Sequence, residues 1–366
     1  MREIILMFGV EAAWCLDING DDDFKEEFRS IKIIETSDLA LPFCNLMFKT
    51  TDWDKVKQYT DPGYDVSIGM GRESIETTSK FTVFKKQVRT FGGNNQWMVN
   101  LYMTYNSMDY YTKHLMNIYN STSDLQNSSD VISTVASRNS LTPDVETSKD
   151  KMMWIQSNTS DRRFLEEVCT HSYFEDNNPA LYAARRDGKF LFKPAKSFLK
   201  KKFTFGQGEV DIKIDTQQIH NRDGFFGSWL GKTRIIPFHD WEGGTTDQET
   251  STTEEIINSS VGMDDFTKFA AHSTINDNVH KNWLKAQGQN LQCRSSISAA
   301  SMEIVQAEGV YIDAYVLDCL EGNFTHTETN EAITPFMGLW LSTKVAHQIL
   351  DGHYSCNITV AREGLQ

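Results

Sequence analysis

Glu166 and Glu167 are the nearest this sequence comes to a catalytic carboxylate pair. They lie in SDRRFLEEVCTHS, beside Arg162 and Arg163. General acid–base work needs two carboxylates facing each other across a cleft. Neighbours on a helix diverge, so all four residues read as ordinary surface charge. His272 and His280 flank Asp277. A zinc site wants two ligands one helical turn apart and a third nearby. These histidines stand eight apart, and Asn276 and Asn278 break the helical pattern between them. His347, in KVAHQIL, is either a sheet histidine with satisfied partners or a contact between subunits, and no G-x-S-x-G elbow accompanies it. GMGRES at Gly69–Ser74 has glycines like those of a phosphate loop. It lacks the Gly-Lys-Ser/Thr ending and leads into a β run, so it reads as a turn. Ala195–Lys202 carries four lysines and Phe198, with Phe203 next. It could touch nucleic acid. A solvated edge, or a salt-bridged contact to an acidic partner, is the favoured reading. No residue is assigned a catalytic, cofactor-binding or metal-ligating role, and no cofactor is expected.

Composition narrows the class. The chain has 366 residues, 39% hydrophobic and 11% aromatic, enough for two or three domains with real cores. Fifty acidic against 36 basic residues leave a net charge of −14. A chain this acidic is not expected to coat a nucleic-acid backbone. Its charge suits a conduit that weakly repels DNA, or simply serves solubility. The six cysteines, Cys15, Cys44, Cys169, Cys293, Cys319 and Cys356, form no CxxC pair and read as reduced core thiols made in a cytoplasm. The opening MREIILMFGVEAAWCLD is apolar, but Glu3 and Glu11 interrupt it and Trp14 precedes Cys15, which argues against a signal peptide. No stretch reaches transmembrane length, so no membrane insertion is expected. The N-x-S/T sequons at Asn120, Asn127, Asn158, Asn258, Asn323 and Asn357 read as chance products of a chain rich in these residues.

The elements that must position these residues follow from periodicity. Ile31 and Ile33 alternate with polar neighbours, and further strands are predicted over 42–49, 64–70, 80–90 and 97–105. Turn formers separate them, as in an antiparallel barrel or sandwich. Tyr111, Leu115 and Ile118 recur at helical spacing, as do Val131, Ile132 and Val135. Ser160 caps a third helix whose apolar face is Phe164, Leu165 and Val168. A strand over 189–193 follows the Asp187-Gly188 turn. Strands are also expected over 209–215 and 234–238, and a helix over 279–286 ending near Gly288. The last quarter should be strands over 291–299, 310–318, 339–349 and 353–362, the final two joined at Asp351-Gly352. The expected fold class is α+β, mainly β. Two tube-type antiparallel β-barrel domains flank an α/β middle region. The expected domains are an N-terminal segment 1–24, a first barrel 25–106, a middle domain 107–205, a connecting region 206–285 with a mobile loop 240–260, and a second barrel 286–366.

The order of these motifs resembles a known family. MMWIQSNTSDRRFLEEVCTHS followed by DGKFLFKP is similar to the middle of baseplate hub proteins of contractile phage tails, where a Trp precedes a capped S-D-x-x-FLxxV helix and a short strand. Phage late control protein D and the hub half of type VI secretion VgrG spikes are related. The helix in NVHKNWLKAQGQNLQCRSSI and the closing hairpin LWLSTKVAHQILDGHYSCNITVAREG fit the same pattern. The likeness covers residues 28 to 364. The loop 240–260 and the first twenty residues match nothing in it. The resemblance implies a virion protein of the tail baseplate, assembled in the host bacterial cytoplasm. It implies a homotrimeric ring in which six barrels adapt a six-fold tail tube to a three-fold spike. The implied partners are the central spike, the tail tube or its initiator, and baseplate wedge and tape-measure proteins. DNA would pass through without specific binding. A tail-associated peptidoglycan hydrolase and a receptor- or sugar-binding β protein are the alternatives. The sequence offers neither a Cys–His pair nor a zinc motif for the first.

Overall fold

Alternation of apolar and polar side chains builds the first third of the chain. In the computed structural model, residues 15–18, 27–60, 63–91, 96–106, 108–121, 124–175, 178–206, 211–213, 232–237, 249–252, 267–271, 280, 282–296, 300–306, 311–323 and 337–362 are described. Strand β1 (Cys15–Ile18) precedes β2 (Phe28–Thr36), β3 (Phe43–Thr50), helix α1 (Trp53–Thr60), β4 (Asp65–Gly71), β5 (Thr77–Phe91) and β6 (Gln96–Tyr105). Ile31 and Ile33 of β2, Cys44 and Leu46 of β3, and Leu101 and Met103 of β6 all turn into one core. All four strands expected between 42 and 105 are present. β1 was not foreseen.

The middle region is mixed. Helix α2 (Asp109–Thr112) is a single turn, and β7 (His114–Ser121) and β8 (Asp124–Asn127) follow. Here the helix expected from Tyr111, Leu115 and Ile118 is a strand. Leu115, Asn117 and Tyr119 turn inward while Met116 and Ile118 turn outward. Apolar residues on both faces hide the period of two. Next come α3 (Ser128–Arg138), β9 (Thr142–Val145), β10 (Lys151–Met152), β11 (Trp154–Ser160), α4 (Asp161–His171), β12 (Ala180–Ala184), β13 (Lys189–Pro194), a 3₁₀ turn at Ala195–Phe198, and β14 (Lys201–Gly206). The Ser160 hydroxyl caps α4 by accepting from the Arg163 amide. Arg138 of α3 and Asp161 of α4 form an ion pair, and the Asn139 amide side chain also donates to Asp161 at 2.7 Å.

The last third holds β15 (Asp211–Lys213), β16 (Lys232–Pro237), β17 (Glu249–Thr252), β18 (Thr267–Ala271), α5 (Trp283–Ser296), β19 (Ala300–Gln306), β20 (Cys319–Asn323), β21 (Gly338–Leu350) and β22 (His353–Arg362). Three expectations fail here. The helix does not stop at Gly288, and the described part of the expected strand 291–299 is helical, because α5 continues to Ser296. A glycine inside a helix costs roughly 1 kcal/mol. Packing on α4 offsets it, because Gly288, Gln289, Asn290 and Cys293 are all buried. Of the expected strand 310–318, the described residues 311–318 are irregular backbone, because side chains take their hydrogen-bonding groups. The turn at Asp351-Gly352 is as expected, with positive φ at both residues (48° and 82°), the geometry of a tight hairpin. Of the stretch 240–260, only β17 is described, paired with β16; the rest lies outside the described residues, as do the first fourteen.

The fold is mainly β, with antiparallel β regions on either side of the α/β middle. Twelve strands form one curled sheet, in the order β1-β4-β5-β6-β3-β2-β21-β22-β19-β15, with β20 also on β21 and β14 on β20. The two β regions meet edge to edge through the antiparallel β2–β21 pair, Ser30 opposite Leu350 through Thr36 opposite Lys344. Smaller sheets are β10-β8-β7-β11, β12-β13-β9 and β17-β16-β18. All six cysteines are buried and none forms a disulfide. Among the described residues, no helix is long and apolar enough to cross a membrane.

One α5 side chain ties the middle region together. Asn290 accepts from the Ala180 amide at 2.9 Å and donates to the carbonyls of Cys169, Thr170 and Ser172 at 3.1, 3.0 and 2.8 Å. Those three carbonyls belong to the C-terminal end of α4, where helical partners run out; the Cys169 carbonyl also accepts from the Ser172 hydroxyl at 2.8 Å. Asn290→Ala is expected to cost about 2–4 kcal/mol in chemical denaturation, from several buried polar groups left unsatisfied. A loss below about 0.5 kcal/mol would remove Asn290 from this role.

Candidate functional site

Buried charge concentrates where the two β regions and the middle region meet. β12 ends at Ala184, and Arg185 and Arg186 follow before the Asp187-Gly188 turn. The turn requires Gly188, whose φ is +83°. It points the Arg186 side chain into the molecule, where only 1% of it is exposed. Glu35 reaches it from the core face of β2. The Arg186 guanidinium donates to Glu35 Oε2 at 3.1 Å, to the Ala314 carbonyl at 2.7 Å and to the Tyr311 hydroxyl at 2.8 Å. Its backbone amide donates to Glu35 Oε1. The Tyr315 ring lies 4.1 Å from its guanidinium carbon. From β5, Ser79 donates to the Arg186 carbonyl at 2.6 Å, and Thr77 shares a hydrogen bond with the Tyr315 hydroxyl at 2.7 Å.

Arg185 extends the network outward. It donates to the Val316 carbonyl at 2.8 Å and pairs with Asp318 at 3.0 Å. Lys202 of β14 also reaches Asp318, at 2.9 Å, and the Asp313 carbonyl at 2.6 Å. This explains why 311–318 is not a strand. The carbonyls of Ala314 and Val316 accept from arginines, and the Tyr315 amide donates to the Asp318 carboxylate at 2.8 Å. Leu317 adopts a positive φ of 63°. Side chains supply the partners that a neighbouring strand would have supplied.

Burial sets the protonation of this cluster. Desolvation raises the Glu35 carboxyl, and the Arg186 charge pulls it back down. Desolvation lowers Arg186, and Glu35, Tyr311 and Tyr315 together more than offset it, so the guanidinium stays charged. His347, buried on β21, is held far below its ordinary range, first by burial and then by Arg186. Its Nδ1 pairs with the Tyr354 hydroxyl at 2.8 Å and its Nε2 with the Ala314 carbonyl at 3.2 Å. Of its two readings, the satisfied sheet histidine is the one found within this chain. The Cys356 thiol is pushed up to about 12 by burial. Both Glu35 oxygens and both His347 nitrogens are therefore engaged, leaving no general base facing a substrate. The arrangement can fix the regions in place.

The other sequence candidates fall outside this cluster. Glu166 is exposed and lies 3.6 Å from Arg294 of α5, while Glu167 points elsewhere on α4, as surface charge does. His280 contacts the His171 carbonyl at 2.8 Å; His272 and Asp277 lie outside the described residues. Among the described residues, no three His, Cys, Asp or Glu side chains converge on a metal position. Gly69 and Gly71 end β4. A Cβ on Gly71 would fall 1.9 Å from the Ser74 carbonyl, so a tight turn demands that glycine. Lys201 and Lys202 of the basic run pair with Glu321, Asp313 and Asp318 of their own chain. Sequence reasoning missed Arg185 and Arg186; the only available signal was two arginines at the end of an apolar strand, ahead of a tight turn.

Two outcomes are expected. Arg186→Met strands a buried carboxylate and should cost about 3–5 kcal/mol, whereas Glu35→Leu with Arg186→Met should recover most of the loss. Equal instability of single and double variants would contradict the pairing. The second outcome concerns pH. His171 stacks on Trp283 at 3.5 Å between ring centres, and burial lowers it from 6.5 to about 3. His280 and His347 are lowered in the same direction, again chiefly by burial. The unfolded chain then binds protons that the folded chain refuses, so their stabilisation is full above pH 6.5 and lost as pH falls below it. For His171 the loss at about pH 5 is about 2 kcal/mol. Melting temperature should drop between about pH 7 and 5, and drop less in His171→Phe. An unchanged drop in that variant would exclude His171 as a contributor.

No family model matches this sequence, and no curated protein sequence matches it. Solved structures do match its fold. The 43 kDa tail protein of prophage MuSo2 from Shewanella oneidensis superposes with a TM-score of 0.56 at 10% identity, over 96% of this chain and 97% of that one. A tail protein from Neisseria meningitidis MC58 gives 0.57 at 9% identity, over 97% and 98%. An E. coli component of the type VI secretion system, described as structurally similar to T4 bacteriophage tail proteins gp27 and gp5, gives 0.50 at 9% identity, over 95% and 76%. At such identities the likeness is one of fold, and the fold of this chain is the one these tail proteins share.

Proposed function

We propose that this chain is a structural subunit of a phage tail baseplate, a hub that assembles as a homotrimeric ring. The observation that supports the reading is the end-to-end agreement of fold with two tail proteins, one of them from a prophage, which leaves almost nothing of either chain unmatched. In this reading residues 25–106 and 286–366 are the two tube-type domains, 107–205 the middle domain and 206–285 the connecting region. Three subunits would place six such domains around a channel, matching a six-fold tube to a three-fold spike. Spike and tube, or tube initiator, would bind opposite faces, and tape-measure protein and DNA would pass between. The role is non-enzymatic, in keeping with the engagement of both Glu35 oxygens and both His347 nitrogens at the junction.

The middle region offers a surface suited to assembly. On the outer face of the β7–β11 pair, Met116 is 78% exposed, Ile118 67% and Ile155 51%, with Ile118 directly opposite Ile155. Strand residues of this kind exposed together mark an interaction site. Lys113 and His114 lie at one end of the patch and Lys151 on the β10 side. A second copy of this chain, with its net charge of −14, complements that rim. Light scattering of the purified chain, alone and with its spike, should report a trimer, and negative-stain images a three-fold ring. Ile118→Asp should leave the melting temperature nearly unchanged, because the site is exposed, and weaken the trimer at least about tenfold. A chain that stays monomeric at high concentration, with or without a spike, would overturn the proposal.

A further inference from the structure

Net charge hides an uneven distribution. Strands β2, β3, β5, β6, β21 and β22 together contain nine lysines and arginines and one carboxylate. The carboxylate is Glu35, which turns inward and is consumed by Arg186. Register places the cations. Leu46, Leu101, Ile31 and Ile349 share the core face, so their chain neighbours share the opposite one. One row across that face runs Lys85, Tyr102, Asn45, Lys32, Gln348, Ser355 over six strands. Another runs Arg89, Met98, Lys49. Lys80 and Lys344 lie on the same side. Lys80, Lys85, Arg89 and Lys344 are exposed. Carboxylates reach this face from flanking strands: Asp65 of β4, paired with Lys80 at 2.7 Å, Asp17 of β1 and, by register, Glu303 of β19 beyond Thr359. Aromatic rings interleave with the cations. Lys85 Nζ sits 5.2 Å over the Tyr102 ring, and Phe43 packs 6.4 Å from Tyr102 and 6.1 Å from Phe84.

We infer that this basic face of the curled sheet binds a nucleic-acid strand without sequence preference. Neighbouring strands are about 4.8 Å apart, so Arg89 and Lys49 stand roughly 10 Å apart and Lys85 and Lys32 roughly 14 Å apart. A phosphate backbone laid across the strands meets cations at those intervals, and the rings give its bases a surface to stack on. An acidic polypeptide is the weaker fit. These rows lie on the face of central strands, where it finds no free edge to pair with and is held by charge alone. The acidity of the whole chain does not forbid this contact, because the six central strands place no carboxylate on this face.

The inference goes beyond the hub reading and stands without it. Its test uses the isolated full chain, so failure of the ring and failure of binding are separate results. Fluorescence anisotropy with a labelled oligothymidylate of about 20 nucleotides should show binding at about 20 mM salt, weakening with a log–log slope of about −2 to −4. Lys85→Glu with Arg89→Glu should lower affinity at least about tenfold, while Lys196→Glu with Lys200→Glu on the 3₁₀ turn and the residues after it should change it less than about twofold. Circular dichroism checks that both variants fold. Lack of binding at low salt, equal loss in both variants, or tighter binding of polyglutamate than of the oligonucleotide would each overturn the inference.

Discussion

Arg186 and Glu35 carry opposite charges in a place where neither could stand alone. An isolated ion in a protein interior costs several kcal/mol, and the mutual attraction of a pair repays that only when the remaining donors and acceptors are also met. Here both terminal guanidinium nitrogens are met by groups from distant parts of the chain, the Ala314 carbonyl and the Tyr311 hydroxyl, with the Tyr315 ring over the guanidinium, while the buried Nε has no hydrogen-bond partner. Glu35 belongs to the first β region, Arg186 to the middle, and the three accepting groups to the segment leading into the last. Displacing any one of these regions would expose the others to the full cost of an unpaired charge. The junction therefore favours one mutual arrangement, beyond whatever apolar burial contributes.

Apolar packing alone would be less selective. The core shared by the two β regions is built of interchangeable aliphatic and aromatic side chains, and such cores tolerate repacking. The β2–β21 pair joins the regions, but a strand pair can slip by two residues and keep its faces. A buried ion pair has no such tolerance, because a two-residue slip would move Glu35 away from Arg186. The same logic holds on a smaller scale at Asn290, where four hydrogen bonds fix α5 against α4 and β12. A subunit that must hold its shape inside a larger assembly gains from such positional constraints.

What could be read from the sequence was local. The capped α4 helix, the Asp187-Gly188 turn and the β21–β22 hairpin each carry their cause within a few residues, and each was legible. Misreadings occurred where distant groups decide. Gly288 looked like a helix end because the α4 surface that buries its neighbourhood lies far back in the chain. Residues 311–318 looked like a strand because the arginines that take their carbonyls are more than a hundred positions earlier. The junction itself was invisible for the same reason. Arg185 and Arg186 have no local pattern that distinguishes them from surface arginines, and Glu35 sits in a strand whose alternation gave no hint of a charged partner.

Charge is unevenly distributed over the chain. The sum of −14 is a property of the whole chain, whereas a ligand meets one face of it. The six central strands nearly lack carboxylates, and the only one they hold is buried against Arg186. The ion pair that locks the regions thus also removes the one negative charge from the strands that bear the basic rows. Pairing β2 with β21 then adds Lys344 to the surface that already carries Lys32, Lys49, Lys85 and Arg89. The first β region holds most of that surface by itself, and the long-range contact that makes one sheet of the two β regions extends it.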